Sequence, residues 1–302
     1  MIITPQRGAK MGVEVSELDA LAAPEEELSD LKNLVYTSKI LVLKGQDLSP
    51  ADYVEFGRRL GEVETYYQPM YHHPEHKEIF VSSNKKEGGM QIGVPKTGKF
   101  WHHDYSFMPR PFGLTLIYPQ VIPQGQRGTL FIDLEKAYEQ LPAKLRKEMA
   151  DSWVVNSVRR YFKIRPSDVY RPVSEILAEI EEETPEVRHP AVFPHPVTGR
   201  PVLYISEAVS HRLEDAEGNP LRDGLLTEVL EAVGQLDTSF THDNIHLQSF
   251  EQGDLLMWDN RSLVHRALHT PNPEPTVSHR VTVHDDHEFY PGIERQLTAA
   301  GR

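Results

Sequence analysis

The stretch Phe100-Trp101-His102-His103-Asp104-Tyr105-Ser106-Phe107 decides how this chain is read. In an extended segment successive side chains alternate, so His102 and Asp104 face one way and His103 the other. One imidazole and one carboxylate then converge. Such a pair can begin a metal site but does not complete one, and a hydrogen-bonded pair beside a turn is the plainer reading of the triplet alone. A third donor is offered far downstream, in Trp258-Asp259-Asn260-Arg261-Ser262-Leu263-Val264-His265, where a strand and a turn lead to a histidine. Two histidines and one carboxylate on one face of a metal leave three positions open, the arrangement of non-haem Fe(II) oxygenases.

Composition narrows the donor types. The chain has 302 residues with 15 histidines and no cysteine. Any metal must therefore be held by imidazole and carboxylate, and thiolate zinc sites, iron–sulfur clusters, disulfides and cysteine nucleophiles are excluded. The 32 basic and 45 acidic side chains give a net charge of −13. That balance argues against nucleic acid and against an anionic membrane surface as partners. An anionic ligand must be met by a few local Arg or Lys residues. The start, Met1-Ile2-Ile3-Thr4-Pro5-Gln6-Arg7, lacks the charged and then apolar pattern of a secretory signal. No stretch approaches the roughly 18 apolar residues of a membrane span. A soluble, cytoplasmic protein is expected.

Around these motifs the pattern predicts a helix over 24–39, with Pro24 in its first turn and Leu28, Leu31 and Val35 at helical spacing. Ser49-Pro50-Ala51-Asp52 is a capping box that opens a second helix ending at Gly61. Strands are predicted over 40–43, 78–83, 113–121, 128–133, 202–206, 245–250, 255–258 and 279–284, and helices over 173–183 and 221–233. Strands early, strands late and helices between predict a mainly β, α+β fold, a β-sandwich or a jelly roll with a large insertion; the expectation is a double-stranded β-helix (jelly roll) core with helical insertions. One domain over 1–302 is expected, with an insertion at about 134–243 between the two halves of the jelly roll.

Five segments carry a family resemblance in a fixed order: MGVEVSELD (11–19), LKGQDLSPADYVEFGRRLGEVE (43–64), WHHDYSF (101–107), GTLFID (128–133) and WDNRSLVHRA (258–267). From about Gly12 to Asp286 the chain resembles the taurine dioxygenase (TauD/TfdA-like) family of Fe(II)/2-oxoglutarate oxygenases. The resemblance implies Fe(II) held by His102, Asp104 and His265, with 2-oxoglutarate as co-substrate and O2 as oxidant. It also implies that Arg280, fifteen residues past His265, anchors the far carboxylate of 2-oxoglutarate together with Thr129. A guanidinium suits that task because it donates two parallel hydrogen bonds to a carboxylate. Arg127, beside the GTLF strand, is a further candidate for an anion near the iron.

Further segments resemble one branch of the family, the isonitrile-forming enzymes that act on N-carboxymethyl-3-amino fatty acids. These are Tyr66-Tyr67-Gln68-Pro69-Met70-Tyr71, IFVSSN (79–84), GVPKTGKFWHHDYSFMPRPF (93–112), residues 161–172, and DNIHLQSFEQGDLLMWDNRS (243–262). The resemblance implies conversion of an (R)-3-(carboxymethylamino) fatty acid to an (R)-3-isocyano fatty acid with loss of CO2, using two O2 and two 2-oxoglutarate. Lys163 is then the residue for a substrate carboxylate. Tyr66, Tyr67, Tyr71 and Tyr105 are candidates for phenolic hydrogen bonds, and His269 for a place in the same pocket. The partner is a small anionic, amino-acid-like molecule, and relatives of this kind are commonly homo-oligomers.

Other readings stay open at this stage. A relative in the same family could hydroxylate a sulfonate, an aryloxyacetate or an amino acid, and a silent relative could bind metal without turnover. A zinc hydrolase would leave Thr129 and Arg280 without a task. The remaining histidines, among them His72, His73, His76, His189, His195, His284 and His287, are expected to be ordinary loop or core residues.

Overall fold

All four residues of the run Ile40–Leu43 are buried, and such a strand needs cover on both faces. The computed structural model, which describes residues 1–6, 8–124, 128–269 and 274–300, places it inside an eight-stranded sheet. The order is Ile2–Pro5, Val13–Ser16, Ile40–Leu43, Leu255–Asp259, Leu114–Val121, Val277–His284 and Glu62–Glu64, and Phe80–Ser83 also pairs with Val277–His284. Every pairing is antiparallel except that of Val13–Ser16 with Ile40–Leu43.

A second sheet has the order Ile245–Gln248, Thr129–Asp133, Leu263–Ala267. His102 extends it through an antiparallel bridge to His265, with reciprocal backbone bonds of 2.9 and 3.0 Å. The two sheets face one another: Ile40, Ile117 and Trp258 of the first share one apolar cluster with Phe131 and Leu263 of the second. Phe131 and Trp258 meet edge to face with ring centres 5.3 Å apart.

Helices cover the outer faces. Glu25–Ser38 and Pro50–Leu60 lay Leu28, Leu31, Val35, Tyr53, Phe56 and Leu60 on the first sheet against Leu41, Leu116, Val281 and Val283. The Ser49 hydroxyl caps the second helix by accepting the Asp52 N–H at 3.2 Å. At Gly57 of that helix a Cβ would stand 2.7 Å from Val281 Cγ1, so glycine permits the close approach of helix and sheet. Between Asp133 and Ile245, strands of the second sheet that pair directly, the chain builds a helical layer on that sheet's outer face. Leu134, Ala137, Leu145, Val229 and Val233 pack there against Leu130, Ile132, Ile245 and Val264. Among the described residues no helix is long and apolar enough to cross a membrane.

The structure departs from the sequence expectation in a few places. The helix expected over 221–233 begins at Leu225, because Gly224 adopts φ 80° and the Leu221 N–H is taken by the Leu213 carbonyl. The strand expected over 202–206 is Pro201–Leu203, paired with Val192–Pro194. A three-stranded sheet of Val187–Pro190, Trp153–Asn156 and Ser210–Glu214, the hairpin Ile2–Pro5/Val13–Ser16 and the helix Ile293–Ala300 were not anticipated.

Candidate metal centre

Backbone pairing brings the two motifs together. The bridge between His102 and His265 sets their rings 4.2 Å apart, and Tyr105, at φ 62°, ends the extended run immediately after Asp104. Asn260, in the turn between Leu255–Asp259 and Leu263–Ala267, grips Asp104 by its backbone. Its Oδ1 accepts the Asp104 N–H at 3.0 Å, and its Nδ2 donates to the Asp104 and Phe112 carbonyls at 2.9 and 3.1 Å.

His102 Nδ1 lies 2.9 Å from the Phe100 carbonyl, which makes Nδ1 the N–H and leaves the Nε2 lone pair free. His102 Nε2 is 3.8 Å from Asp104 Oδ1, and His265 Nε2 is 3.7 Å from Asp104 Oδ2. The three donor atoms lie within 4.8 Å of one another and all three residues are buried. Burial lowers the basicity of both imidazoles, with the Asp104 charge opposing it at His102, so each is held neutral, the form that ligates. Burial alone would raise the Asp104 carboxyl. Arg280, His265, His102 and the Thr115 hydroxyl, which donates at 3.0 Å, outweigh it and keep the group ionised. Two neutral imidazoles and one carboxylate fit a divalent transition metal with positions left open.

The open side faces a pocket between the two sheets. Thr129, His265 and Ala267 of the second sheet and Phe80, Ile117, Ser278 and Arg280 of the first line it. Arg280 is ion-paired with Asp104, and its guanidinium lies 4.0 Å from the Phe80 ring centre and 5.7 Å from that of Tyr66.

Of the residues proposed from sequence, Tyr66, Tyr71, Tyr105 and Lys163 line the same pocket. The Tyr66 ring packs 4.9 Å from Tyr71 and 5.5 Å from Tyr105. Burial raises all of these phenols, Tyr71 to about 12, so they stand as neutral hydrogen-bonding groups. Lys163 donates to the carbonyls of Pro95 and, at 3.0 Å, Lys96. Burial, with the Lys96 charge adding, pushes its ammonium down to about 8.

Two candidates fall elsewhere. Tyr67 lines an adjoining groove with Pro69, Met70, Arg165 and Glu183, and its N–H donates to the Tyr105 hydroxyl at 2.9 Å. His269 is exposed, with Nε2 2.8 Å from the Thr97 carbonyl, because the strand carrying His265 ends at Ala267 and the chain leaves the pocket wall. Arg127 lies outside the described residues.

Sequence reasoning missed Thr115, Asn260 and Tyr161. The Tyr161 ring sits 5.2 Å from that of His102, and its hydroxyl accepts the Gly98 N–H at 2.6 Å. Alternation in LTLIYPQV puts Thr115 on the face of Ile117 and could have flagged it. No spacing rule connects Tyr161 or Asn260 with Asp104. Several other histidines are structural: His195 Nε2 donates to Asp259 at 3.1 Å while its Nδ1 accepts the N–H groups of Val197 and Thr198, and His284 is 3.0 Å from Glu64.

A buried two-histidine, one-carboxylate set between facing antiparallel sheets, with an arginine-bearing pocket on its open side, is the donor set of a non-haem Fe(II) oxygenase. The chain belongs to the taurine catabolism dioxygenase TauD, TfdA family, whose pattern it matches over residues 3–282. It is an oxidoreductase that uses Fe(II), 2-oxoglutarate and O2. It is 29% identical to the pentalenolactone F synthase of Streptomyces arenae, over 95% of this chain and 96% of that protein. It is 27% identical to the alpha-ketoglutarate-dependent 2,4-dichlorophenoxyacetate dioxygenase of Cupriavidus pinatubonensis, over 91% of this chain and 94% of that one. Its fold is similar to that of AAD-2 in complex with Mn(II) and N-oxalylglycine, with a TM-score of 0.72 and 20% identity over 95% of this chain and all of that one.

Proposed function

We propose that the chain converts an (R)-3-(carboxymethylamino) fatty acid to the (R)-3-isocyano fatty acid, with His102, Asp104 and His265 holding the iron. The two facing sheets are read as the double-stranded β-helix, one domain with residues 134–243 inserted. The observation that carries the functional reading is convergence. Segments 66–71, 93–112 and 161–172, which resemble the isonitrile-forming branch, meet at the metal pocket and contribute Tyr66, Tyr71, Tyr105, Tyr161 and Lys163 to its wall.

Iron with 2-oxoglutarate and O2 supplies one two-electron oxidation per turnover, releasing succinate and CO2. Two turnovers remove four hydrogens from R–NH–CH2–COOH as two waters. The C–COOH bond breaks, and R–N≡C and a third CO2 remain. The chain's own residues place and enclose the reactants. Arg280, which pairs with Asp104 and packs on Phe80, would hold the far carboxylate of 2-oxoglutarate, and Thr129 in the same pocket wall would add a hydrogen bond. Lys163 supplies positive charge to a substrate carboxylate, the neutral phenols of Tyr66 and Tyr71 donate hydrogen bonds, and Tyr105, whose hydroxyl is held by the Thr65 carbonyl and the Tyr67 N–H, packs beside them and excludes water.

A second reading, hydroxylation of another small anionic substrate, is favoured by the name of the 2,4-dichlorophenoxyacetate dioxygenase among the relatives. One experiment separates the two. Protein loaded with Fe(II) is incubated with 2-oxoglutarate, O2 and N-carboxymethyl-3-aminobutanoate, and the products are read by mass spectrometry after tetrazine trapping. Loss of the glycyl carboxylate with a trapped isonitrile is expected. A stable product carrying one added oxygen, or no consumption of the amino diacid, refutes the first reading.

A further inference from the structure

We infer that Ser82 and Thr97, with Ser278 beside them, form a carboxylate-binding corner of the metal pocket. The inference rests on the reading above that this pocket serves anionic reactants. All three residues line it.

Ser82 Oγ and Thr97 Oγ1 are 2.5 Å apart, either one able to donate, and neither hydroxyl has another partner among the described residues. Each carries one proton, and their mutual bond uses only one of them. The accepting oxygen keeps a proton that a ligand can take. On the strand Phe80–Ser83, Ser82 faces the same side as Phe80, whose ring supports Arg280. Across the antiparallel pair Ser82 stands opposite Ser278, and Ser278 precedes Arg280 by two positions on one face of its strand. The pocket wall thus carries the Arg280 guanidinium and the donor of the Ser82–Thr97 pair, with Ser278 between them.

Charge decides which ligand the wall takes, since hydroxyls alone would accept as readily as donate. Lys163 Nζ is bound to the carbonyls of Pro95 and Lys96, immediately before Thr97, and Arg280 lies along the same wall. Asp104, the anion of the pocket, already meets Arg280 and Thr115 and belongs to the metal set. Two cations and a spare hydroxyl proton select an anion, and a planar carboxylate can take bonds from two donors at once.

The corner is also rigidly held. The Thr97 carbonyl meets His269 Nε2 at 2.8 Å, the Gly98 carbonyl accepts the Ala267 N–H at 2.9 Å, and the Gly98 N–H donates to Tyr161. Gly98 has φ 67°, and a Cβ there would stand 3.2 Å from that of Ala267. The segment therefore meets its ligand with little ordering cost.

The carboxylate can come from the amino diacid or from the far end of 2-oxoglutarate, and binding measurements tell these apart without turnover. Ser82→Ala and Thr97→Val are prepared, loaded with Fe(II) and titrated anaerobically, first with 2-oxoglutarate through the visible charge-transfer band. They are then titrated with N-carboxymethyl-3-aminobutanoate by calorimetry on the 2-oxoglutarate complex. Loss of a hydrogen bond to a charged group weakens the affected ligand by about tenfold. Weaker binding of the amino diacid alone assigns the corner to the substrate, and weaker binding of 2-oxoglutarate alone assigns it to the co-substrate. Variants that bind both ligands like the parent, with unchanged melting temperatures, overturn the corner. A parent protein that does not bind the amino diacid overturns the substrate reading instead, and the 2-oxoglutarate titration then decides the corner by itself.

Discussion

Asn260 uses every polar atom of its side chain on two backbone segments: it takes the Asp104 N–H and gives its amide protons to the Asp104 and Phe112 carbonyls. Fully buried, it has no water to fall back on, and an aspartate there would keep the acceptor but set a carboxylate against two carbonyl oxygens. The side chain touches no metal donor atom, so it acts by fixing where the Asp104 carboxylate starts. Groups that orient metal ligands change metal affinity by about 10- to 100-fold when altered. Asn260→Asp is expected to weaken Fe(II) binding by that range in an anaerobic equilibrium titration, while far-UV circular dichroism stays native. Affinity equal to the parent would show that the clasp is not what places Asp104. This residue also marks the limit of reading a site from sequence. His102 and Asp104 could be picked out by donor chemistry and alternation, His265 by donor chemistry, and the three were joined into one set only by the order of the family motifs around them. Asn260 and Tyr161 reach the site through tertiary contacts with no local signature, and Tyr67 and His269 had suitable chemistry but lie outside the pocket.

The turn joining Leu255–Asp259 to Leu263–Ala267 is the element that delivers both Asn260 and His265, and it is anchored from the end of a distant helix. Lys39, just past the helix Glu25–Ser38, donates to Glu135 at 2.6 Å and to the Ser262 hydroxyl at 2.9 Å, and lies 3.9 Å from Asp259, all buried. Its backbone has φ 72°, a conformation that favours glycine. Two effects therefore oppose each other in Lys39→Gly. Relief of the left-handed backbone stabilises by about 1 kcal/mol, whereas leaving Glu135 and Asp259 without their ammonium costs about 3–5 kcal/mol. The variant is expected to lose about 2–4 kcal/mol of unfolding free energy in a urea titration; stability equal to or above the parent would mean the ion pairs do not hold the turn. Elements of this core were legible in sequence where pattern and boundary residues agreed, as in Pro50–Leu60, with Ser49 as cap and Gly61 as stop. They were illegible where tertiary pairing made the strand. Ile2–Pro5 is exposed along its length and depends on Val13–Ser16 for its hydrogen bonds. Trp153–Asn156 sits between helices and takes its order from Val187–Pro190 and Ser210–Glu214.

Across the whole molecule, acid acts on two opposing terms. Protonation lowers the magnitude of the −13 charge and relieves repulsion among surface carboxylates, but exposed charges are screened over about 8 Å at physiological salt. Buried histidines act in the other direction. Burial pushes His189 and His279 down to about 4, with the charge of His73 adding at His279 and the Met108 carbonyl opposing at His189. In the unfolded chain both return to about 6.5. As pH falls through that value the unfolded state takes up protons that the folded state refuses until about pH 4, so stability is lost progressively across the interval. For the two groups together the loss is on the order of a few kcal/mol, larger than a screened surface term. The carboxylates Asp104 and Asp285 are held below their ordinary value by Arg280 and Arg261 against the opposing effect of burial, so their contribution is lost only at still lower pH. The melting temperature is therefore expected to be level between about pH 8, where the depressed Lys163 ammonium has finished titrating, and about 6.5, to fall between about 6.5 and 4, and to fall further below that. His189→Gln should make the middle segment shallower, without abolishing it, even if it lowers stability at neutral pH, since it removes one of the two titrating groups. Calorimetry at intervals across this range checks both statements: a melting temperature that holds or rises down to about pH 4.5 would mean that relief of surface repulsion outweighs the buried imidazoles.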